Sequence, residues 1–277
     1  MGSTHSPPSL ENPDADASVT QAPPEIPFPE PAPAGVTLVG VGPGDPDLLT
    51  VAAVRAIRAA AVVAYPVAQE GGDGMAARIA APWIGPNQRR LPLVLPMVEE
   101  AQPRRLAWHA AAGALAAEVA AGQAVALLCE GDASLYASGS YVLLALAARH
   151  PTVPLKVVPG ITSIAAAAAA ACGPRGPWPL ALQQEPLLIC PTPDAPAALD
   201  QLLAAHQEGV VVLLKLGRRW PWVRQSLAAQ GLLDHTLLAQ RVGWPDQWVG
   251  PAAVVPAEQQ PYFSLLLIRR TWPSVLP

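Results

Sequence analysis

The stretch VTLVGVGPGDPDLLT, Val36 to Thr50, sets an apolar strand, a glycine-bearing turn and a helix start in that order. Dinucleotide-binding turns share that order, and their G-x-G-x-x-G pattern needs a third glycine where helix and strand pack closely. Here Gly40 and Gly42 take the first two positions and Asp45 stands at the third. Pro43 removes an amide donor that a pyrophosphate would use, and the Asp45 carboxylate would repel one. The turn argues against a nicotinamide dinucleotide and leaves its glycines to be explained otherwise.

Working outward, the turn is the first of three. CEGDASLYASGS follows the buried strand AVALL, and VVPGITS closes the strand beginning at LKVV. Between them lie the strand AVVAYP and helical stretches ending at Gly122 and His150, one of them running from Ser134. Alternating strand and helix predict a mainly parallel sheet with helices against its faces. Beyond Pro159 comes the alanine-rich helix ITSIAAAAAAAC, stopped by Gly173, then a proline-rich connector. The strands LLIC, GVVVLLKLG, HTLLAQRVG and YFSLLLIRR follow, with two helices between them, and the last suits a central or hairpin strand. The expected fold is α/β, two domains with a cleft between them. Residues 35–157 form the first domain and residues 158–277 the second. Residues 1–34 are rich in proline and carry Glu11, Asp14, Asp16, Glu25 and Glu30 with no Lys or Arg, a disordered solubilising or linker tail by composition.

The formal charge of −4 does not suit a nucleic-acid binder. Apolar residues make up 51% of the chain, much of that alanine. The alanine-rich run is too short to span a bilayer, and no signal peptide is evident. Three widely spaced cysteines and five scattered histidines give neither a disulfide framework nor a metal site, so a reducing, cytoplasmic setting is expected. Arginines come in pairs, Arg89-Arg90, Arg104-Arg105, Arg218-Arg219 and Arg269-Arg270. Each pair reads as solvated surface, or, where several lie near one cleft, as a holder of acidic groups.

In open α/β sheets ligands sit beyond the carboxyl ends of the strands, so the three turns should converge there. Gly40, Gly42, Gly131 and Gly160 would let a ligand approach bare backbone. Asp132 reads either as an acceptor for a ligand's ribose or amino groups or as the N-cap of the helix from Ser134. Thr162 and Ser163 would cap the alanine-rich helix and also reach a ligand. No nucleophile–base set and no paired carboxylates stand out, which points to chemistry done by positioning two reactive ligands.

Taken in order, GVGPGDPDLLT, VVAYP, EGDASLY, VVPGITS and LLKLGR resemble the tetrapyrrole methylases, which use S-adenosylmethionine. Finer features resemble the members that methylate C(20) of precorrin-2. These are Tyr65-Pro66, LPLVLPM at Leu91–Met97, Trp108, QRVGWPDQ and the terminal PYFSLLLIRR. The resemblance runs from about Val36 to Arg270. It implies a homodimer, a tetrapyrrole substrate, S-adenosylhomocysteine as product and methyl transfer to a meso carbon. Carried over by position, it implies a cofactor site at Pro43, Gly131, Asp132 and Leu135, completed by Thr162, Ser163, Leu216 and Gly243. Asp45, Tyr136, Arg89, Arg90, Arg104, Lys215 and Arg218 are the candidate substrate contacts. The acceptor of the departing proton stays open among Tyr136, Asp45 and solvent.

Two positions depart from family patterns. The second loop reads Gly131-Asp132-Ala133 where the family has Gly-Asp-Pro, which frees one φ angle. Pro66 stands where the uroporphyrinogen methylases carry an acidic residue, which favours the C(20) group. The other readings are a methylase of uroporphyrinogen III or a later precorrin, one acting on RNA or protein, and a non-catalytic S-adenosylmethionine-binding relative.

Overall fold

The computed structural model describes residues 30–172 and 176–272. Residues 1–29 of the expected tail, and Gly173 as the expected helix stop, lie outside the described residues. Structure was expected to begin near Gly35, but the Ala32 amide already donates to the Ala59 carbonyl at 3.1 Å.

The first sheet contains β1 (Gly35–Gly40), β2 (Val62–Val67), β3 (Arg89–Val94), β4 (Ala124–Cys129) and β5 (Leu155–Val158). All its pairings are parallel, in the order β3-β2-β4-β1-β5. Helices α1 (Val51–Ala59) and α2 (Met75–Ile79) cover one face, where Ile57 and Ile79 meet Val39, Val63, Ala126 and Leu128. Helices α3 (Ala101–Ala120) and α4 (Ser138–Arg149) cover the other, where Leu115, Val142 and Leu146 meet Leu38, Val125 and Leu127. Because both faces are covered, the central strand AVALLC reads as one apolar run and is buried throughout.

After α5 (Ser163–Ala170) the second sheet contains β6 (Leu187–Pro191), β7 (Val210–Leu214), β8 (Thr236–Gln240), β9 (Trp248–Pro251) and β10 (Ser264–Arg269). Its order is β6-β7-β10-β8-β9, with β6 parallel to β7 and the other pairs antiparallel. Helices α6 (Pro196–Ala205) and α7 (Trp220–Ala229) pack Leu199, Leu203 and Trp220 on one face. The alanine-rich α5 lies on the other, with Ile164, Ala166 and Ala167 against Val210, Val212 and Leu267. The small side chains let that helix pack on the sheet, as its composition predicts.

Several elements differ from expectation for local reasons. The helix expected to start within Val36–Thr50, directly after the first glycine turn, begins only at Val51, because Pro46–Leu48 forms a 3-10 turn and Thr50 then caps α1, accepting from the Ala53 amide at 3.0 Å. The helix expected from Ser134 begins at Ser138, because Tyr136 takes a left-handed φ of 55°, which no L-residue continues as a right-handed helix. Strands β3 and β9 were not expected. Both are edge strands, where Pro92 and the Gly250-Pro251 pair are tolerated. Gly122 does stop α3, with a φ of 79° and its amide on the Val119 carbonyl at 2.9 Å. Among the described residues no helix is long and apolar enough to cross a membrane.

Candidate active site

Strands β1 and β4 are neighbours, yet their outgoing connections diverge. From β1 the chain leaves through α1 on one face toward β2; from β4 it leaves through α4 on the other toward β5. Such a switch opens a crevice beyond the carboxyl ends of the two strands. The first loop (Val41–Thr50), the second (130–137) and the third (159–162) meet there.

The glycines serve this meeting more than a ligand. A Cβ on Gly160 would stand 2.1 Å from the Gly131 carbonyl oxygen, and one on Gly40 would stand 2.7 Å from that oxygen and from the Gly160 amide. The loops touch backbone to backbone, with Gly131 donating to the Gly42 carbonyl at 2.7 Å. A Cβ on Gly42 would press on the Leu48 carbonyl oxygen at 3.3 Å. Of the four glycines expected to admit a ligand, only Gly131, at φ 65°, has open space where its side chain would be.

Asp132 staples the assembly. One carboxylate oxygen accepts from the Ser134 amide at 2.8 Å and from the Ser134 hydroxyl, while the other accepts from the Gly160 amide at 2.9 Å. Partial burial works to raise its pKa, but the Ser134 hydroxyl and the Gly160, Ser134 and Ala133 amides outweigh burial and hold it below the usual range. It is therefore not the N-cap of the following helix, because Ala137 occupies that position without a side-chain cap.

The second domain closes the crevice from above. Tyr136 reaches across to the Ile189 carbonyl at 3.4 Å, and the Lys215 ammonium lies 5.7 Å from the Tyr136 ring centre. Lys215 is exposed, at φ 58°, just past β7, so neither a buried nor a strand position describes it. Leu48, Leu135 and Ile161 of the three loops pack on the apolar cluster of α5, β7, β8 and β10. Trp244 donates from Nε1 to the Pro43 carbonyl at 3.1 Å, and a Cβ on Gly243 would strike the Asp45 amide at 2.7 Å.

The other expected residues are placed as follows. Asp45 caps the 3-10 turn by accepting from the Asp47 amide at 2.8 Å. Thr162 caps α5, accepting from the Ala165 amide at 3.1 Å, and Ser163 opens the helix. Leu216 is fully buried, its amide on the Ser264 carbonyl at 3.2 Å. Arg104 donates to the Glu99 carbonyl at 3.2 Å, and Arg218 approaches the Glu99 carboxylate at 3.9 Å, so the two converge on one residue at the domain junction. Arg89 and Arg90 do not join them. They open β3 at the amino end of the sheet, away from the loops, and Arg89 pairs with Glu118 of α3. The solvated reading fails for Arg269, which is buried in β10 and bonded to Glu185 at 2.6 Å.

One group escaped the sequence reading. Glu130 directly follows β4 in the crevice, and burial pushes its carboxyl up to about 7. Its charge reaches Tyr262 in the second domain, whose phenol is raised first by burial and then by Glu130. The neighbouring Cys129 thiol is pushed up to about 12 by burial and by the Asp132 and Glu130 charges, so it stays protonated and is no nucleophile. The signal for Glu130 was a carboxylate ending an apolar strand in AVALLCEGD.

A sequence profile described as Tetrapyrrole (Corrin/Porphyrin) Methylases matches residues 35–254. The chain belongs to the tetrapyrrole methylase family. It is 35% identical over 238 residues to a Precorrin-2 C(20)-methyltransferase of Sinorhizobium sp, covering 83% of this chain and 93% of that protein. It is 32% identical to a Cobalt-precorrin-2 C(20)-methyltransferase of Salmonella typhimurium, covering 84% of this chain and 95% of that one. A tetrapyrrole methylase fold is also seen in the solved uroporphyrin-III C-methyl transferase of Thermus thermophilus complexed with S-adenosyl homocysteine. That chain superposes with a TM-score of 0.56 at 24% identity, covering 85% of this chain and 92% of that one, a likeness of fold. The two-domain α/β architecture expected from the motifs is the one observed.

Proposed function

We propose that this protein transfers a methyl group from S-adenosylmethionine to C(20) of precorrin-2 and releases S-adenosylhomocysteine. The observation that carries this reading is the similarity to the Sinorhizobium C(20)-methyltransferase over 93% of its length. The crevice suits the methyl donor. Gly131 offers bare backbone in open space, and among the described residues the Ser163 hydroxyl has no hydrogen-bond partner. We take Pro43, Gly131, Asp132 and Leu135 to hold the donor from the first domain. Thr162, Ser163, Leu216 and Gly243 complete the site.

When bound, S-adenosylmethionine supplies an electrophilic methyl group on a sulfonium centre. The chain's own residues supply alignment and exclude water, through the apolar closure of Leu48, Leu135 and Ile161 against the second sheet. Lys215, Arg104 and Arg218 are the cations we assign to the substrate's acetate and propionate groups, with Asp45 and Tyr136 lining the same side. Arg89 and Arg90 drop out of that set. A homodimer and a cytoplasmic setting belong to the same reading; α4 leaves Tyr141 and Leu144 exposed, apolar surface of the kind a second copy covers.

Similarity to the Salmonella protein supports a second reading, in which the substrate already carries cobalt. The test is anaerobic transfer of labelled methyl to precorrin-2, its cobalt form and uroporphyrinogen III in parallel. One methyl on precorrin-2 and none on uroporphyrinogen is the expected result. Transfer to the cobalt form alone selects the second reading. Transfer to none of the three overturns both.

A further inference from the structure

We propose that Glu130 is the base that removes the C(20) proton after the methyl group arrives. This rests on the reading of the protein as a C(20)-methyltransferase and names the one step that reading leaves without a residue. As the new carbon–carbon bond forms, the methyl–sulfur bond breaks and its electron pair stays on sulfur. C(20) then carries both hydrogen and methyl. A base must take the hydrogen as a proton, and the pair from the broken C–H bond returns to the conjugated macrocycle.

Three observations single out Glu130. It follows directly on β4, whose carboxyl end forms one wall of the crevice where the outgoing connections diverge. It is partly buried, and among the described residues no hydrogen bond or ion pair engages its carboxylate. By contrast Asp132 accepts on both oxygens from the loops, and Asp45 is held by the Asp47 amide. Tyr136 is turned to the Ile189 carbonyl. Glu130 is thus the acid of the crevice left without a structural duty. The titratable groups coupled to it are Cys129 on its own strand and Tyr262 from the second domain, and neither ionises near neutrality. Burial brings its carboxyl to about 7, where a base is deprotonated at working pH yet still accepts a proton readily.

The experiment compares the parent protein with Glu130→Gln and Glu130→Asp. In the parent, kcat for precorrin-2 should rise with pH through a limb near 7 and then level off. Glu130→Gln should lower kcat by about a hundredfold or more and lose that limb, with the dissociation constant for S-adenosylhomocysteine unchanged. Glu130→Asp should recover part of the rate. Independently of turnover, the infrared difference between parent and Glu130→Gln should contain a protonated-carboxyl band that disappears with a midpoint near 7. A Glu130→Gln protein that keeps the parental kcat and pH limb overturns the assignment alone. So does a carboxyl band that titrates at ordinary glutamate pH. A parent protein that methylates none of the tetrapyrroles overturns the proposed function first, and the base with it.

Discussion

Glu130 and Asp132 stand two residues apart, and their surroundings drive them in opposite directions. Glu130 is desolvated without a partner, so the folded protein binds its proton more tightly than the unfolded chain does. That favours folding below the ordinary value of 4.5, weakens it as pH climbs to about 7, and adds nothing further above. Glu130→Gln keeps the neutral form at every pH. It should be more stable than the parent at about pH 8, by up to roughly 3 kcal/mol, and equal to it near pH 4, as read by urea unfolding. Asp132 has the reverse sign. Its contribution is present above the usual aspartate range and is lost as pH falls through its depressed value. Asp132→Ala leaves the Gly160 amide without its acceptor and should cost about 2 kcal/mol at neutral pH, shrinking in acid.

Among the loops, two glycine substitutions separate two meanings of the same residue. At Gly160 a Cβ would meet backbone at 2.1 Å, so Gly160→Ala must force the second and third loops apart. Unfolding should show a loss of about 3 kcal/mol, and binding of S-adenosylhomocysteine should fail with it. At Gly122 nothing lies near, and only the φ of 79° is at stake. Gly122→Ala should cost about 1 kcal/mol and leave binding intact, by the same two measurements. The central strands and the order of elements were legible because both faces of the first sheet are covered, which writes its strands as apolar runs. The edge strands β3 and β9 were not, since an edge needs no such run and tolerates proline. The three loops were legible as a set, but which glycine faces a ligand was not, because Gly40 and Gly160 owe their identity to contacts far along the chain. Glu130 was overlooked for a related reason: the sequence shows a carboxylate ending an apolar strand, but not that the fold leaves it without a partner.

At the scale of the whole molecule, Trp244 joins the contacts of Tyr136, Leu48, Leu135 and Ile161 in holding the two domains together. Trp244 comes from the second domain, packs on the first-sheet cluster that contains Val39 and Ile57, and bonds to Pro43. Arg78 and Arg241 flank its ring at 5.4 and 5.3 Å. The parent should unfold in a single calorimetric endotherm, and Trp244→Ala should cost about 3 kcal/mol and split that endotherm into two. The strand order of the second sheet carries a further consequence for how the chain is made. The first sheet is complete once Val158 has been synthesised, whereas β10, the middle of the second, is made only after that sheet's other four strands. The first domain can therefore settle while translation continues. The second must wait, with α5 and β6 to β9 already emerged and their apolar faces uncovered, until β10 slides in between β7 and β8.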